Sequence, residues 1–342
     1  MDSILKIQQK LLPDLLEVMQ KRYQILRYVR LMQPIGRRIL ATHLGITERV
    51  LRSEVNFLKD QGILDISVSG MSLTIEGAQL VRQLEQIMKE VSGIKDLEDT
   101  LKRKLNLQEV IIVAGDSDQD ELVKKELGRA CAIRMKESYV ANNIIAVTGG
   151  STMANVAEMM QPDPKNRELL FVPARGGLGE QVENQANTIC AKMAEKTLGH
   201  YRLLHVPDQV SEEAYTTLTS EPSIKEVLDL IKSSSMVVHG VGDAMTMANR
   251  RKTPADIFQH IMDGDAVGEA FGYYFNAKGD IIHKVRTIGI QLEDIKNIPF
   301  VIAVAGGASK ANAISAFMKQ GQNTTLITDE GAAQVLIRDS SL

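Results

Sequence analysis

The chain has 342 residues, of which 44% are hydrophobic and 24% charged, and it contains no Trp. This length exceeds a single small module and fits two or three domains of about 100 to 200 residues each. With only seven Tyr and seven Phe, the chain is poorly suited to the exposed aromatic surfaces on which many RNA-binding proteins stack bases. Two cysteines, Cys131 and Cys190, lie in aliphatic surroundings. They predict buried thiols rather than a disulfide framework or a thiolate metal cluster.

Charge is unevenly distributed along the chain. The formal net charge of −3, taken as a whole, argues against binding to the phosphate backbone of nucleic acid. Residues 1–60, however, carry eleven Lys and Arg against six Asp and Glu, a local charge of +5 that leaves −8 on the rest. The near-neutral total therefore combines a basic N-terminal segment, residues 1–60, which is suited to nucleic acid, with an acidic remainder of the chain.

The beginning of the chain predicts a cytoplasmic protein. Lys and Asp side chains interrupt its apolar residues, unlike those of a secretory signal. No stretch reaches the roughly 18 uncharged apolar residues of a membrane span. We therefore expect a cytoplasmic location and no membrane partner.

The basic N-terminal segment begins a pattern typical of a winged helix-turn-helix, which is predicted over residues 1–77. Apolar residues recur at helical spacing from Leu12 through Leu15 to Val29, and Pro13 suits the first turn of a helix that runs to about Leu31. A short second helix is predicted over 37–43. Further along, 63–68 and 71–75 alternate like two strands around a turn at 69–70, which predicts the wing.

The third predicted helix is the one that would read DNA. Gly45 can adopt the left-handed backbone of a tight turn before it, and Thr47 is a good N-cap. A recognition helix needs an exposed polar and basic face backed by an apolar one. The apolar residues predicted to face inward are Val50, Leu51, Val55 and Leu58.

The opposite face of this helix and the preceding helix carry the candidate DNA contacts. Arg37 and Arg38 lie where the second helix could meet phosphates. A solvated charged face on a small helical domain is the alternative interpretation. The turn, the cap and the wing together favour DNA binding. The predicted contact residues are Arg37, Arg38, Thr47, Glu48, Arg49, Arg52 and Ser53.

Residues 78–107 predict a helical linker. Apolar residues from Leu80 to Leu105 keep an approximate three-four spacing that is interrupted at Ser92 and Gly93. Such a stripe either pairs two chains or docks on the next domain, and the sequence leaves both open. Because helix-turn-helix proteins usually read two half-sites as dimers, we expect a homodimer, and whether dimers pair into a tetramer on DNA stays open.

Residues 108–342 predict an α/β effector-binding and oligomerisation domain with a doubly wound, mostly parallel sheet. Short continuous aliphatic segments alternate with helical ones, as in sheets covered by helices on both faces. Ligands of such sheets bind outside the carboxyl ends of the strands. The predicted strands are 110–114, 144–147, 169–172, 201–206, 236–239, 300–305 and 325–328.

Four of these strand ends carry glycines, hydroxyls or cations. The run 149–152, Gly-Gly-Ser-Thr, suits a phosphate through backbone amides, hydroxyls and a helix dipole, although an ordinary turn and cap would look the same. Each loop alone is a weak signal, but glycine loops with three cations together predict a small ligand with two anionic groups. The other loops are 172–177 with Arg175, 240–243 leading to Arg250, and 304–310 with Lys310.

The order of these motifs resembles that of the SorC/DeoR-type sugar-binding transcriptional regulators of bacteria, over nearly the whole chain. The resemblance implies an effector domain like the sugar-phosphate isomerases and glucosamine-6-phosphate deaminase. It also implies a repressor of a glycolytic operon, released or remodelled by fructose-1,6-bisphosphate, with no cofactor besides this effector. The motifs that follow the helix-turn-helix are Gly-Gly-Ser-Thr-Met at 149–153, Arg-Gly-Gly at 175–177, Gly-Glu-Ala-Phe-Gly-Tyr-Tyr-Phe at 268–275 and Ala-Gly-Gly-Ala-Ser-Lys at 305–310.

Carried onto this chain, the resemblance implies a place for each phosphate. One would lie against 149–152 and Arg250, and the other end of the sugar would meet Arg175, Gln185 and Lys310. Glu269 would accept hydrogen bonds from sugar hydroxyls, because an ionised carboxylate only accepts. The family has Thr where this chain has Ser151, and both supply a hydroxyl. The implied effector-binding residues are Gly149, Gly150, Ser151, Thr152, Arg175, Gln185, Arg250, Glu269 and Lys310.

An enzyme is the main alternative, and one departure from the catalytic relatives disfavours it. The deaminase-like enzymes carry a Gly-x-Gly-x-Asp-Gly-His run whose His transfers protons, whereas 240–245 reads Gly-Val-Gly-Asp-Ala-Met here, with no His after it. Glu180, Asp243 and Glu269 could move protons, yet ligand or structural roles explain them. His239, in an apolar strand, is expected to be a core group, and the six His lack metal-ligand spacing. We therefore predict no catalytic residue and no metal.

The second alternative is a regulator of the same build that senses another phosphorylated sugar.

Overall fold

The computed structural model describes residues 11–178, 181–321 and 325–338. The chain divides into two compact units between Asp96 and Leu97. Each unit has a hydrophobic core of its own. In the described ranges, no helix is both long and apolar enough to cross a bilayer.

The first unit has the predicted order of three helices and a hairpin. The two strands pair antiparallel, with Ser67 opposite Gly70, so the turn is Val68-Ser69, one residue earlier than predicted. The arrangement is that of a winged helix-turn-helix followed by one further helix. Its elements are α1 (Pro13–Met32), α2 (Arg37–Leu44), α3 (Glu48–Asp60), β1 (Leu64–Ser67), β2 (Gly70–Leu73) and α4 (Ile75–Val91).

Local signals in the sequence set the ends of α2 and α3. Gly45 ends α2 with a φ of 62°, in the left-handed region that favours glycine. The Thr47 hydroxyl caps α3 by accepting a hydrogen bond from the backbone amide of Val50 at 3.3 Å. Leu51, Val55 and Leu58, at helical spacing, are buried.

One apolar residue predicted to be buried in this unit is exposed. The prediction for Val50 was wrong, since 40% of it is exposed. It precedes Leu51 on α3 and is rotated about 100° away from the buried face, because an α-helix has 3.6 residues per turn. Leu12 and Leu15, before and within the first turn of α1, are also exposed.

The predicted linker is divided between the two units. Its first part is α4, whose Val81 and Met88 belong to the core of the first unit. Its second part is α5 (Ile94–Lys104), in which the division between the units falls. Leu101 of α5 is fully buried. The segment 78–107 is therefore two packed helices rather than a connector that stands apart.

The second unit is built on a seven-stranded sheet in which every neighbouring pair is parallel. The strand order is β3-β13-β12-β7-β4-β5-β6, with β6 much shorter than the predicted 201–206. The strands are β3 (Glu109–Val113), β4 (Asn142–Val147), β5 (Glu168–Pro173), β6 (His200–Tyr201), β7 (Met236–His239), β12 (Phe300–Val304) and β13 (Thr325–Asp329). The helices are α6 (Glu121–Glu137), α7 (Ser151–Met159), α8 (Ala186–Thr197), α9 (Glu212–Ser220), α10 (Pro222–Lys232), α11 (Ala244–Arg250), α12 (Ala255–Asp263), α13 (Leu292–Ile295), α14 (Ala311–Met318) and α15 (Glu330–Arg338).

A second, four-stranded antiparallel sheet was not predicted. Its order is β11-β10-β9-β8, and it places Glu269 of β9 directly opposite Tyr274 of β10. It holds the conspicuous 268–275 motif as a hairpin. The strands are β8 (Gly242–Asp243), β9 (Ala266–Ala270), β10 (Tyr273–Asn276) and β11 (Ile281–Lys284).

Two predictions about individual core residues are confirmed. Cys131 and Cys190 are buried free thiols, and burial raises the pKa of both well above the ordinary range. His239 is fully buried at the end of β7, with its ring centroid 4.6 Å from that of Phe271 and 5.0 Å from that of Phe317.

Candidate functional site

One pocket lies at the carboxyl ends of the parallel strands. It offers about 900 Å³ of space, part of which opens to solvent. The loops after β4 and β7, which are neighbours in the sheet, both line it. The chain leaves β4 toward β5 and leaves β7 toward β12 on the opposite side, so the pocket lies at the switch point where such sheets bind ligands. All nine residues predicted to bind the effector line this pocket: Gly149, Gly150, Ser151, Thr152, Arg175, Gln185, Arg250, Glu269 and Lys310.

The loop after β4 presents a helix N-terminus to the pocket. Gly150 has a φ of 120°, and a Cβ on Gly149 would lie only 2.6 Å from the carbonyl oxygen of Asn184, so both positions require glycine. α7 begins at Ser151 without a side-chain cap. Because the first amides of a helix have no intrahelical acceptor, this end of the pocket suits an anion.

Two further cations, Arg250 and Lys310, line the pocket. Arg250, the last residue of α11, lines the pocket and also its continuation toward Ser151 and Asn184. Burial, together with the ammonium of Lys124, lowers the pKa of Lys310 below its ordinary value. A bound anion would favour the charged form of Lys310, so binding and protonation would reinforce each other.

The loop that carries Lys310 differs from the glycine loop after β4. Its backbone amides are already used: Gly307 donates to Asp329 at 2.7 Å, and Ser309 donates to Asp118 at 2.8 Å. These carboxylates fix the loop in place. It therefore offers the pocket the side chain of Lys310 rather than an amide cradle.

A buried ion network forms another wall of the pocket, and half of it was missed by the sequence reasoning. Arg175 donates through Nε to Asp208 and lies 3.4 Å, through Nη1, from Glu269 Oε1. Arg251 donates to Asp208 Oδ2 at 3.1 Å and to Glu269 Oε1 at 2.8 Å. The missed residues are Asp208 and Arg251. The only sequence signal for Arg251 was its position beside Arg250.

Glu269 therefore has protein partners in addition to its predicted role toward sugar hydroxyls. Its Oε1 also accepts the backbone amide of Gly272 at 2.6 Å. Burial alone would raise its pKa, but Arg251 and Arg175 more than offset this and hold the pKa below the ordinary value. Glu269 is consequently ionised at neutral pH and acts as an acceptor only.

The other groups considered for proton transfer are explained differently. Asp243 caps α11, because its Oδ1 accepts from the amide and the hydroxyl of Thr246 at 2.8 and 2.7 Å. Glu180 lies outside the described residues.

The predicted DNA contacts lie together on α2, on the following turn and on the N-terminal half of α3. Arg52 Nη2 is 3.7 Å from Glu48 Oε1, one helical turn away. On the opposite side of α3, Glu54 binds Lys21 and Arg22 of α1. Arg38, Thr47, Arg49, Arg52 and Ser53 are exposed, and Arg37 and Glu48 are half-buried.

Comparison with known proteins assigns both units. A family model described as "CggR N-terminal DNA binding domain" matches residues 18–88, and one described as "Putative sugar-binding domain" matches residues 89–338. The central glycolytic genes regulator of Priestia megaterium is 64% identical over 340 residues, 99% of both chains. That of Bacillus subtilis is 61% identical, over 99% of this chain and all of the relative. The chain belongs to the SorC family, among the central glycolytic genes regulators.

Solved structures agree with this SorC-family assignment. The crystal structure of a "putative SorC family transcriptional regulator" from Enterococcus faecalis is 45% identical with a TM-score of 0.68, covering 71% of this chain and all of that one. The full-length sorbitol operon regulator SorC from Klebsiella pneumoniae covers 90% of this chain and 95% of its own, with a TM-score of 0.68. At 16% identity, the latter supports the fold alone.

This SorC-family protein is a transcriptional regulator rather than an enzyme. A DNA-binding domain precedes a sugar-binding domain, as the sequence predicted, and its 64% and 61% identical relatives are regulators. The pocket lies within the unit that matches the sugar-binding domain model.

Proposed function

We propose that this regulator represses a glycolytic operon and responds to fructose-1,6-bisphosphate as its inducer. The observation that supports this most strongly is that the nine predicted effector residues, from distant parts of the sequence, all line one pocket. The pocket combines a helix N-terminus with two cations, which suits phosphate. The relatives named as central glycolytic genes regulators support the choice of glycolysis.

Within the pocket, each end of the bisphosphate has a set of partners. One phosphate lies against the amides and hydroxyls of Ser151 and Thr152, with Arg250. The other end meets Arg175, Gln185 and Lys310. This arrangement would bridge loops that come from four different strands, so ligand binding can change how the second unit packs or associates.

In the first unit, α3 enters the major groove of operator DNA and Arg37 and Arg38 of α2 meet phosphates. Two such units in a homodimer read two half-sites. The regulator acts with its DNA in the cytoplasm. Effector binding alters the spacing of the recognition helices. By linkage, DNA and sugar then weaken each other's binding by the same factor.

The test is a titration of operator-bound protein at fixed salt. A labelled fragment of a glycolytic promoter is bound to the full chain and followed by fluorescence anisotropy. Fructose-1,6-bisphosphate, fructose-6-phosphate, glucose-6-phosphate and inorganic phosphate are each added. We expect the bisphosphate to weaken or remodel the complex at the lowest concentration. If no sugar phosphate altered the complex, the proposal would fail.

A sensor of a monophosphorylated sugar is the second candidate, and one observation favours it. Arg175 is already held by Asp208 and Glu269, so its charge is compensated by protein carboxylates before any ligand binds. Separate Arg175→Met and Lys310→Met variants distinguish the two candidates. If the protein senses a bisphosphate, the wild type prefers bisphosphate over monophosphate and both variants lose this preference. If it senses a monophosphate, the wild type itself shows no preference for bisphosphate.

A further inference from the structure

Arg251 follows Arg250 in the chain but is much more deeply buried. Only 1% of its side chain is exposed, and all three of its guanidinium nitrogens have partners. Nε donates to Asp208 at 3.1 Å, Nη1 to the Tyr274 hydroxyl at 2.9 Å and Nη2 to Glu269 at 2.8 Å. Arg251 thus joins the loop after β6 to the antiparallel sheet.

Arg175 shares both carboxylates with Arg251. Its Nη2 is buried and lies 2.5 Å from Asp208 Oδ1, but the angle between them is too poor for a hydrogen bond. A buried guanidinium N–H without an acceptor is costly, and Arg175 lines the pocket. The guanidinium of Arg175 therefore lies at the pocket wall with one nitrogen poorly matched to its protein partner.

The four side chains balance one another in charge. Two guanidinium groups face two carboxylates in an enclosed site, so the network is neutral only while Arg251 is present. Without Arg251, Asp208 and Glu269 would have Arg175 as their single guanidinium partner. Arg175 would then turn toward them, and one uncompensated negative charge would lie beside the pocket.

We propose that Arg251 is a positioning residue of the effector pocket: it holds Asp208 and Glu269, which in turn fix the guanidinium of Arg175 at the pocket wall that faces the bound anion. The role rests on the proposed function, since it is defined toward an effector in this pocket. Arg251 itself makes no contact with the ligand in this scheme. Its effect is exerted through the orientation of Arg175 and the charge of the network.

A pH dependence separates this role from a purely structural one. The charged and titratable groups around Glu269 are Arg251, Arg175, Asp208 and Tyr274. Arg251 and Arg175 more than offset the effect of burial and keep the pKa of Glu269 below its ordinary value. Removing Arg251 raises that pKa, so the carboxylate takes up a proton more readily as the pH falls, and its repulsion of an anionic ligand fades.

The experiment compares Arg251→Met, Arg251→Lys and wild type in the full chain. The control is Arg286→Met, which makes the same change at an exposed ion pair with Glu212. Calorimetric affinity for fructose-1,6-bisphosphate is measured at pH 6 and pH 8, with operator binding and thermal unfolding measured alongside. We expect Arg251→Met to lose about tenfold or more in affinity at pH 8, and a smaller loss at pH 6.

Arg251→Lys keeps the charge but lacks the planar fork that reaches three partners. It is expected to lose affinity by a smaller factor that is equal at both pH values, which tests the inference even if Arg251→Met does not fold. Wild-type affinity in both folded Arg251 variants, or an equal loss at both pH values for Arg251→Met, would overturn the positioning role while leaving the proposed function intact. A wild-type protein that binds no sugar phosphate would instead overturn the proposed function and this inference together.

Discussion

Arg22 of α1 donates through Nε to the carboxylate of Glu54 of α3 at 2.9 Å. The guanidinium of Arg22 also lies 3.8 Å from the centre of the Phe57 ring, and Lys21 reaches the other oxygen of Glu54. Helix α3 is thereby anchored to α1 on the side away from the residues predicted to contact DNA. Glu54 therefore links the stability of this unit to the orientation of those predicted contacts.

We expect Glu54→Gln to destabilise the first unit by about 1 kcal/mol at pH 7. Burial alone would raise the pKa of Glu54, but Lys21 and Arg22 lower it by more, so the pKa lies below its ordinary value. A carboxylate with a depressed folded-state pKa stabilises above its unfolded pKa, and this contribution is lost as the pH falls through the folded value. The difference from wild type should thus shrink in acid below about pH 4.

Calorimetric unfolding of the full chain between pH 3 and pH 7 measures this effect. Glu90→Gln, at an exposed position on α4, is the matched control and should change little. A Glu54→Gln difference that stayed constant over this pH range would contradict the ion-pair account.

Two substitutions separate base reading from phosphate binding in the DNA-binding unit. Arg52→Ala should weaken operator binding by about 1 to 3 kcal/mol and relax specificity, whereas Arg38→Ala should weaken binding to all sequences and reduce the salt slope by about 1. Lys59→Ala, at the far end of α3, is the control. Anisotropy titrations at several salt concentrations, on operator and scrambled DNA, distinguish these outcomes. Equal behaviour of Arg52→Ala and Lys59→Ala would exclude Arg52 as a contact.

Two glycines that line the pocket provide a matched steric test. A Cβ at Gly149 would lie 2.6 Å from the Asn184 carbonyl oxygen, whereas a Cβ at Gly240 would meet nothing closer than 3.8 Å. Gly149→Ala must therefore displace the loop at the start of α7, and we expect it to reduce affinity for fructose-1,6-bisphosphate by about 100-fold. Gly240→Ala should bind nearly as wild type. Calorimetric titration measures both, and comparable affinities in the two variants would refute the assigned phosphate position.

Much of the pocket could be predicted from the sequence because of how parallel sheets are built. The loops after β4, β5, β7 and β12 must emerge at one edge of the sheet, so residues far apart in sequence converge there. Glycines and cations immediately after an aliphatic run can be recognised without any knowledge of side-chain packing. For this reason the glycines, hydroxyls and cations predicted at strand ends were found in one place, whereas Gln185 and Glu269 were implied as ligands only by the family resemblance.

The remaining features depend on tertiary contacts that no local pattern encodes. The partners of Arg251 lie 43, 23 and 18 residues away in the chain, and its role differs from that of Arg250 only through the direction in which the side chain turns. The antiparallel sheet consists of strands of two to five residues, too short for a periodic signal. Val50 was misplaced because an apolar side chain on a helix was assumed to be buried.

Asp329 offers a final test, since it fixes the loop that carries Lys310. It is fully buried, and its Oδ2 accepts the backbone amides of both Ser117 and Gly307, at 2.8 and 2.7 Å. Its Oδ1 accepts the amide of Ala332 at 2.9 Å. In Asp329→Asn, one oxygen becomes an NH₂ group, so at least one buried amide loses its acceptor. We expect a destabilisation of about 1 to 3 kcal/mol and weaker sugar-phosphate binding.

Asp243→Asn is the matched control for this change. Asp243 caps α11 through a single oxygen, and Asn is an equally good cap, so its stability should be close to that of wild type. Denaturant unfolding and calorimetric titration of both variants test the argument. Equal stability of Asp329→Asn and Asp243→Asn would show that the amides of Ser117 and Gly307 do not depend on a shared carboxylate. A destabilised Asp329→Asn with unchanged ligand affinity would show that the loop geometry does not control the position of Lys310.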